Sequence, residues 1–288
     1  MSYLAHIGII FSIYAILAVS LNLLVGYTGL LSVSQAALFG VGAYTAAVLS
    51  TSFGFGFFTI LFFSICMGII VSFLSGLLLS RFNGDYYALV SVGLNVIIIN
   101  VFRNWDSVTH GPLGIYGILK PNILGTKLIS NESFFVLAII LLAVTLLISR
   151  FVVKSSFGRV LKTIRDDEQI IQVFGYKTLN YKLFIFMISA AMASVAGTLY
   201  ASYITFIEPN SFVLLESIFI LAMVILGGLA SLRGSLLGAL VLVLLPEALR
   251  FVGFSPDIAA QMRYAIYGLF LILFMLYRPQ GLVGGYKL

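Results

Sequence analysis

No aspartate, glutamate, lysine or arginine precedes Arg81, so the first 80 residues carry no ionised side chain with which to face water. A soluble domain is about one-quarter charged; this chain of 288 residues is 9% charged and 61% hydrophobic. Folded in water it would leave wide apolar patches uncovered. The bilayer is the solvent in which such a surface is at rest. A helix crosses a hydrocarbon core of about 30 Å with roughly 20 apolar residues, and the sequence reads as an all-α polytopic membrane protein forming a single domain over residues 1–288.

Apolar runs bounded by Gly, Pro, Asn or charge predict spans near residues 4–25, 30–50, 57–80, 85–103, 133–153, 183–206, 213–231, 234–250 and 258–277. That makes nine. Eight or ten are also compatible, because the stretch from Gly26 to Ser50 holds Ser32, Ser34 and Gln35 in its first half and reads equally as a broken or re-entrant helix. The start of the chain lacks the basic region of a cleavable signal, so the first run is expected to be a retained span. The pentapeptide Gly29-Leu30-Leu31-Ser32-Val33 is similar to Gly228-Leu229-Ala230-Ser231-Leu232, a faint sign of the duplicated halves common in transporters.

A net charge of +6 signals nucleic acid only with a solvated patch and a reader motif, and neither is present. Beside membrane spans, basic residues report orientation instead. Arg150, Lys154, Arg159, Lys162, Arg165, Lys177 and Lys182 outnumber Asp166, Asp167 and Glu168, which places this segment in the cytoplasm. Counting crossings outward from it puts Arg81, Arg233 and the tail from Arg278 on the same side, and the N-terminus, Arg103–Glu132 and the turn around Glu208 outside.

Enzyme and metal signatures are missing: His6 and His110 stand far apart, and no HExxH, cysteine pair or phosphate-binding glycine loop occurs. No cofactor is implied. Ion-driven carriers usually keep a charge deep in the membrane; Asp85, Glu216 and Glu247 are expected near span ends instead. Uncharged polar residues do occur at depth. Asn22, Ser32, Ser34, Gln35, Thr45 and Asn95, together with Gly26, Gly29, Gly40 and Gly42, are the candidate lining of a path for a small polar solute, since glycines permit close helix approach or a local break. Ordinary helix-to-helix hydrogen bonding is the competing reading of each.

The segment 154–182 is the other distinctive feature. Residues 155–175 are expected to form one short amphipathic helix, with Leu161, Ile164, Glu168, Ile171 and Phe174 at helical spacing and Gly175 as its stop. It would dock a partner through Ile164, Ile171 and Phe174, with Arg159, Arg165, Asp166, Asp167 and Glu168 as rim charges. The alternative is a helix lying on lipid headgroups.

Several motifs in order resemble the permease subunits of bacterial branched-chain amino acid ABC importers, the LivM/LivH family, and the LivM branch in particular. They are Asn22-Leu23-Leu24-Val25-Gly26-Tyr27-Thr28-Gly29-Leu30-Leu31-Ser32, Phe39-Gly40-Val41-Gly42-Ala43-Tyr44-Thr45, Gly84-Asp85-Tyr86-Tyr87-Ala88-Leu89 and Gly111-Pro112-Leu113-Gly114-Ile115. Phe157-Gly158-Arg159 through Gly175, Gly227-Gly228-Leu229 and Arg278-Pro279-Gln280-Gly281-Leu282 complete the set. The resemblance implies an inner-membrane permease that works with a homologous permease subunit, two ATP-binding subunits and a periplasmic amino-acid-binding protein, and uses 154–182 as its coupling segment. Urea and short amides are alternative solutes within the wider family; an ion-coupled carrier or channel acting alone, and a membrane-embedded enzyme, are alternatives of other classes.

Overall fold

The computed structural model describes residues 2–82, 84–123, 126–127, 130–251, 268–269, 272–273, 276–277 and 280–283. Its helices are α1 Ser2–Thr28, α2 Gln35–Ser52, α3 Phe57–Leu79, α4 Asp85–Asn104, the short α5 Asp106–Thr109, α6 Asn131–Lys154, α7 Ser156–Asp166, α8 Glu168–Val173, α9 Thr178–Ile204, α10 Leu214–Gly227 and α11 Leu232–Phe251. The chain is an all-α polytopic membrane protein. Six helical stretches among the described residues are long and apolar enough to cross a bilayer: Tyr3–Thr28, Phe57–Leu79, Asp85–Asn104, Asn131–Lys154, Thr178–Ile204 and Pro209–Gly227. The expected span 258–277 lies largely outside the described residues.

Helices α1 and α9 form the centre. Each long span is about three-quarters buried, whereas α3, α4 and α6 turn broad apolar faces outward, including Phe58, Phe62, Leu74, Ile97, Leu147 and Phe151. Hydrocarbon makes this inversion harmless, since such side chains lose nothing against lipid. Dispersion between close backbones holds the centre together. A Cβ added to Gly42 of α2 would lie 2.4 Å from Ser194 Cα of α9, and one on Gly197 of α9 would lie 2.3 Å from the Phe39 carbonyl oxygen of α2. In the same way Gly227 and Gly234 interlock α10 with α11. Serines complete the small-residue surface: Ser194 and Thr198 return their hydroxyls to carbonyls one turn back in their own helix, at 2.9 and 3.0 Å, and so pack as apolar groups.

Contacts close the two ends of the helices. At one, Ile115–Tyr116 pairs antiparallel with Phe206–Ile207. At the other, Arg165 Nη1 donates to the Gly26 carbonyl at 2.9 Å, and the backbone N–H groups of Leu282 and Val283 donate to the carbonyls of Leu226 and Gly227, capping α10.

The expected span 30–50 is corrected at its start. Residues 29–34 are not helical, and α2 begins only at Gln35. Its first turn reaches Ser20, two turns before the end of α1, and Ser217, almost three turns before the end of α10. At 1.5 Å per residue, α2 starts about 12–15 Å above those helix ends. Glu216 lies in the first turn of α10, near the span end as expected, and accepts a 2.6 Å hydrogen bond from Tyr14 of α1.

Gly42→Leu is expected to push α2 off α9 and cost about 3 kcal/mol, read as a lower melting temperature of the purified protein. Gly93→Ala, where nothing lies within 4 Å of an added Cβ, is expected to leave it unchanged or slightly raised.

Candidate functional site

The interruption between α1 and α2 is the site's frame. Gly29 leaves α1 with φ +72°, a conformation costly for a side chain, and its N–H still closes on the Val25 carbonyl at 3.0 Å. The following backbone rises toward mid-depth, where each freed polar group needs a protein partner. Val33 N donates to Ser91 Oγ of α4 at 2.9 Å, and Ala36 N to Ser217 Oγ of α10 at the same distance. Ser32 and Ser34 share a 3.0 Å contact between hydroxyls. The Gln35 amide nitrogen donates to Ser20 Oγ at 2.7 Å and to Ser189 Oγ at 3.3 Å. Asn95 Nδ2 donates to Ser217 Oγ at 3.1 Å. Four helices therefore converge on the first turn of α2 with uncharged polar groups only.

The remaining expected path residues have other partners. Asn22 donates to the Ser231 carbonyl at 2.9 Å and to Ser235 Oγ at 2.6 Å, and accepts from Ala230 N at 3.0 Å. It fastens α1 to a second interruption, between α10 and α11, where Gly228 has φ +109° and Ala230 φ +58°. The repeated pentapeptide thus marks two breaks lying side by side: an added Cβ on Gly26 would meet Ala230 N at 2.5 Å. Gly42 lies against the backbone of α9, and Gly40 against the rings of Phe102 and Phe212, so both serve packing. Thr45 donates to the Val41 carbonyl of its own helix at 2.7 Å and borders a cavity of about 410 Å³ between α2, α3 and the outer half of α4, lined also by Val41, Tyr44, Ile98, Phe102 and Trp105. A cavity of about 180 Å³ lies at the opposite end, between Gly26, Gly29, Leu229 and Arg165.

The coupling segment differs from the single helix expected. Asp167, at φ −160° and ψ 108°, separates α7 from α8, and its carboxylate accepts from Gln169 N at 2.9 Å and Ile170 N at 3.2 Å. An aspartate that caps the next helix competes with continuing the previous one. Ile164 and Ile171 are buried in this chain's own core, which corrects their assignment as anchors open to a partner. Phe174, 76% exposed, does face outward, joined by Ile170 and Val173. Gly175 has φ +84°, its N–H bonded to the Gln172 carbonyl at 2.9 Å, as the left-handed stop requires. Glu168 is tied to Lys182 of α9 at 2.5 Å, and Arg165 to Asp166 at 3.2 Å. Arg165 also crosses to α1, closing on its last carbonyls where a cation suits the helix dipole.

Comparison with known proteins places the whole arrangement. Residues 3–275 match the family described as the branched-chain amino acid transport system permease component. The chain belongs to that family. It is 33% identical to the high-affinity branched-chain amino acid transport system permease protein LivM of Escherichia coli K12 over 294 residues, 94% of this chain and 68% of that protein. A probable LivM permease of Methanocaldococcus jannaschii is 26% identical, covering 95% of this chain and 91% of its own length. In fold, a chain of PsaBC from Streptococcus pneumoniae, solved in complex with Fab, superposes with a TM-score of 0.50 at 17% identity, covering 97% of this chain and 93% of that one.

Within this family member, Ser20, Ser91, Ser189, Ser217, Ser231 and Ser235 make the two breaks tenable, and apart from Ser231, in the repeated pentapeptide, none stands out in the sequence. An isolated serine in an apolar run has no spacing signal, and the one available hint is that these hydroxyls fall on faces shared with Asn22, Gln35 and Asn95. Asn22→Ala is expected to leave the buried N–H of Ala230 without a partner and cost about 2–3 kcal/mol. Hydrogen exchange between residues 228 and 235 should accelerate, with a lower melting temperature.

Proposed function

We propose that this chain is the permease subunit of an ATP-driven (ABC) importer for branched-chain or similar hydrophobic amino acids. It sits in the bacterial inner membrane, paired with a homologous permease, two ATP-binding subunits on the cytoplasmic side and a periplasmic amino-acid-binding protein outside. The family match over residues 3–275 carries this reading. The chain performs no catalysis; ATP-driven rearrangement of its partners alternates the side from which the path is open.

Ser32, Ser34, Gln35 and Asn95 are the polar residues of the path, at the break that Gly26 and Gly29 permit. Asn22, Gly40, Gly42 and Thr45 support them by fixing α1 and α2. Segment 154–182 is the coupling element within the single permease domain. Its docking surface comprises Ile170, Val173 and Phe174, with Arg159 and Asp166 at the rim; Ile164, Ile171, Asp167 and Glu168 hold its shape, and Gly175 turns the chain back. Arg165 passes movement to the end of α1.

Proteoliposomes holding the complete complex test this. ATP- and binding-protein-dependent uptake of leucine is the expected result; uptake by this chain without ATP-binding subunits would favour a secondary carrier, and import of urea or short amides with leucine ignored would favour the other branch. For the coupling element, Val173→Asp with Phe174→Ala is expected to lower co-purified ATP-binding subunit or leucine-stimulated ATP hydrolysis by about tenfold or more without changing the melting temperature. Ile171→Ala is expected to lower the melting temperature instead. Wild-type values for the double variant in both assays would sink the docking surface.

A further inference from the structure

The polar cluster at the start of α2 contains one atom that the fold leaves unused. Asn95 is 0% exposed, its Nδ2 is held on Ser217 Oγ at 3.1 Å, and its Oδ1 is buried with no hydrogen-bond partner. With the N–H donor held on Ser217 Oγ, it is the acceptor that stays free. Ser217 Oγ also accepts from Ala36 N at 2.9 Å, so the Asn95 amide stands at the N-terminus of α2. The N-cap residue Ser34 makes no side-chain cap there. An 18-residue helix that begins there turns the positive end of its dipole toward that position. A helix start favours a carboxylate, and a lone amide oxygen favours an N–H donor. Glu216, next to Ser217, accepts a hydrogen bond from Tyr14 of α1.

We infer that Asn95, Ser217 and the first turn of α2 form an occluded subsite for the charged head of a free α-amino acid, with its carboxylate on the α2 N-terminus and its ammonium on Asn95 Oδ1. The inference rests on the function proposed above and adds where, and by which groups, the solute is held within the membrane. The apolar side chain has a place on the same helices. Ile98 and Phe102 follow Asn95 at helical spacing on α4, Val41 and Tyr44 follow Gln35 on α2, and together they border the cavity of about 410 Å³. A polar end and an apolar end on one pair of helices select a zwitterion with an aliphatic tail over urea, which has no tail, and over a fatty acid, which has no ammonium.

The test uses the complete reconstituted complex with its binding protein, ATP and radiolabelled leucine. Asn95→Leu removes the unused acceptor while filling its space, and Asn95→Asp keeps an acceptor there. Asn95→Leu is expected to reduce uptake at least about tenfold, as loss of a charge-assisted hydrogen bond does. It should still co-purify with its partners and melt no lower than wild type, because an apolar side chain suits an unpaired polar position. Asn95→Asp is expected to retain uptake within about threefold, since the ammonium keeps its partner. Uptake by Asn95→Leu within about twofold of wild type, the result if Oδ1 holds only a structural water, would overturn the inference. So would an Asn95→Asp variant as inactive as Asn95→Leu, or a loss of uptake that follows a fall in melting temperature. If the wild-type complex imports no α-amino acid, the proposed function fails and takes this subsite with it; if it imports leucine and Asn95→Leu is indifferent, the subsite alone fails.

Discussion

A peptide group that leaves a helix within hydrocarbon has no water to turn to, and each one left unsatisfied costs several kcal/mol. Among the described residues the chain leaves its helices after Gly29 and again after Gly228, and a set of buried polar side chains serves those two interruptions. Ser91 and Ser217 take the N–H groups of Val33 and Ala36, and Asn22 takes that of Ala230. The two breaks support each other, since Asn22 precedes the first and bonds across to the second. Neither could persist in an isolated hairpin, and together they hold α1, α2, α10 and α11 in register.

Such an arrangement needs helices that approach closely enough for short side chains to meet. The glycine contacts between α2 and α9 and between α10 and α11 supply that approach, so that small residues face one another at those seams while α3, α4 and α6 turn large side chains toward lipid. Packing and path are linked by this geometry: Gly42 touches no solute, yet the position of Gln35 depends on how closely α2 lies against α9.

The charge-free beginning, the all-α membrane class and the left-handed turn at Gly175 were legible in the sequence, because each follows from local chemistry, and a broken helix between Gly26 and Ser50 was one of two readings it left open. The depth at which α2 resumes was not legible, since Gly29 marks where a helix stops and nothing marks how far the chain climbs before the next begins. Asp167 reads as one rim charge among five, and only its backbone angles reveal a cap that divides the segment. Amphipathic spacing located the apolar face carrying Ile164 and Ile171 without telling whether it meets this chain's own core or a partner.

One side chain joins the two halves of the proposed mechanism. The guanidinium of Arg165 is anchored in α7 beside Asp166 and closes on the Gly26 carbonyl, while its stem lies against the spot that a side chain at Gly29 would occupy. A movement of α7 therefore reaches the point where α1 ends and the interrupted segment begins. From there the climb to Gln35 is short, and it has no hydrogen-bonded helix of its own to absorb a displacement. A continuous helix would spread the same push along its whole ladder of bonds. Interrupting the helix beside a fixed charge lets the push arrive at the start of α2, where the polar groups of four helices converge.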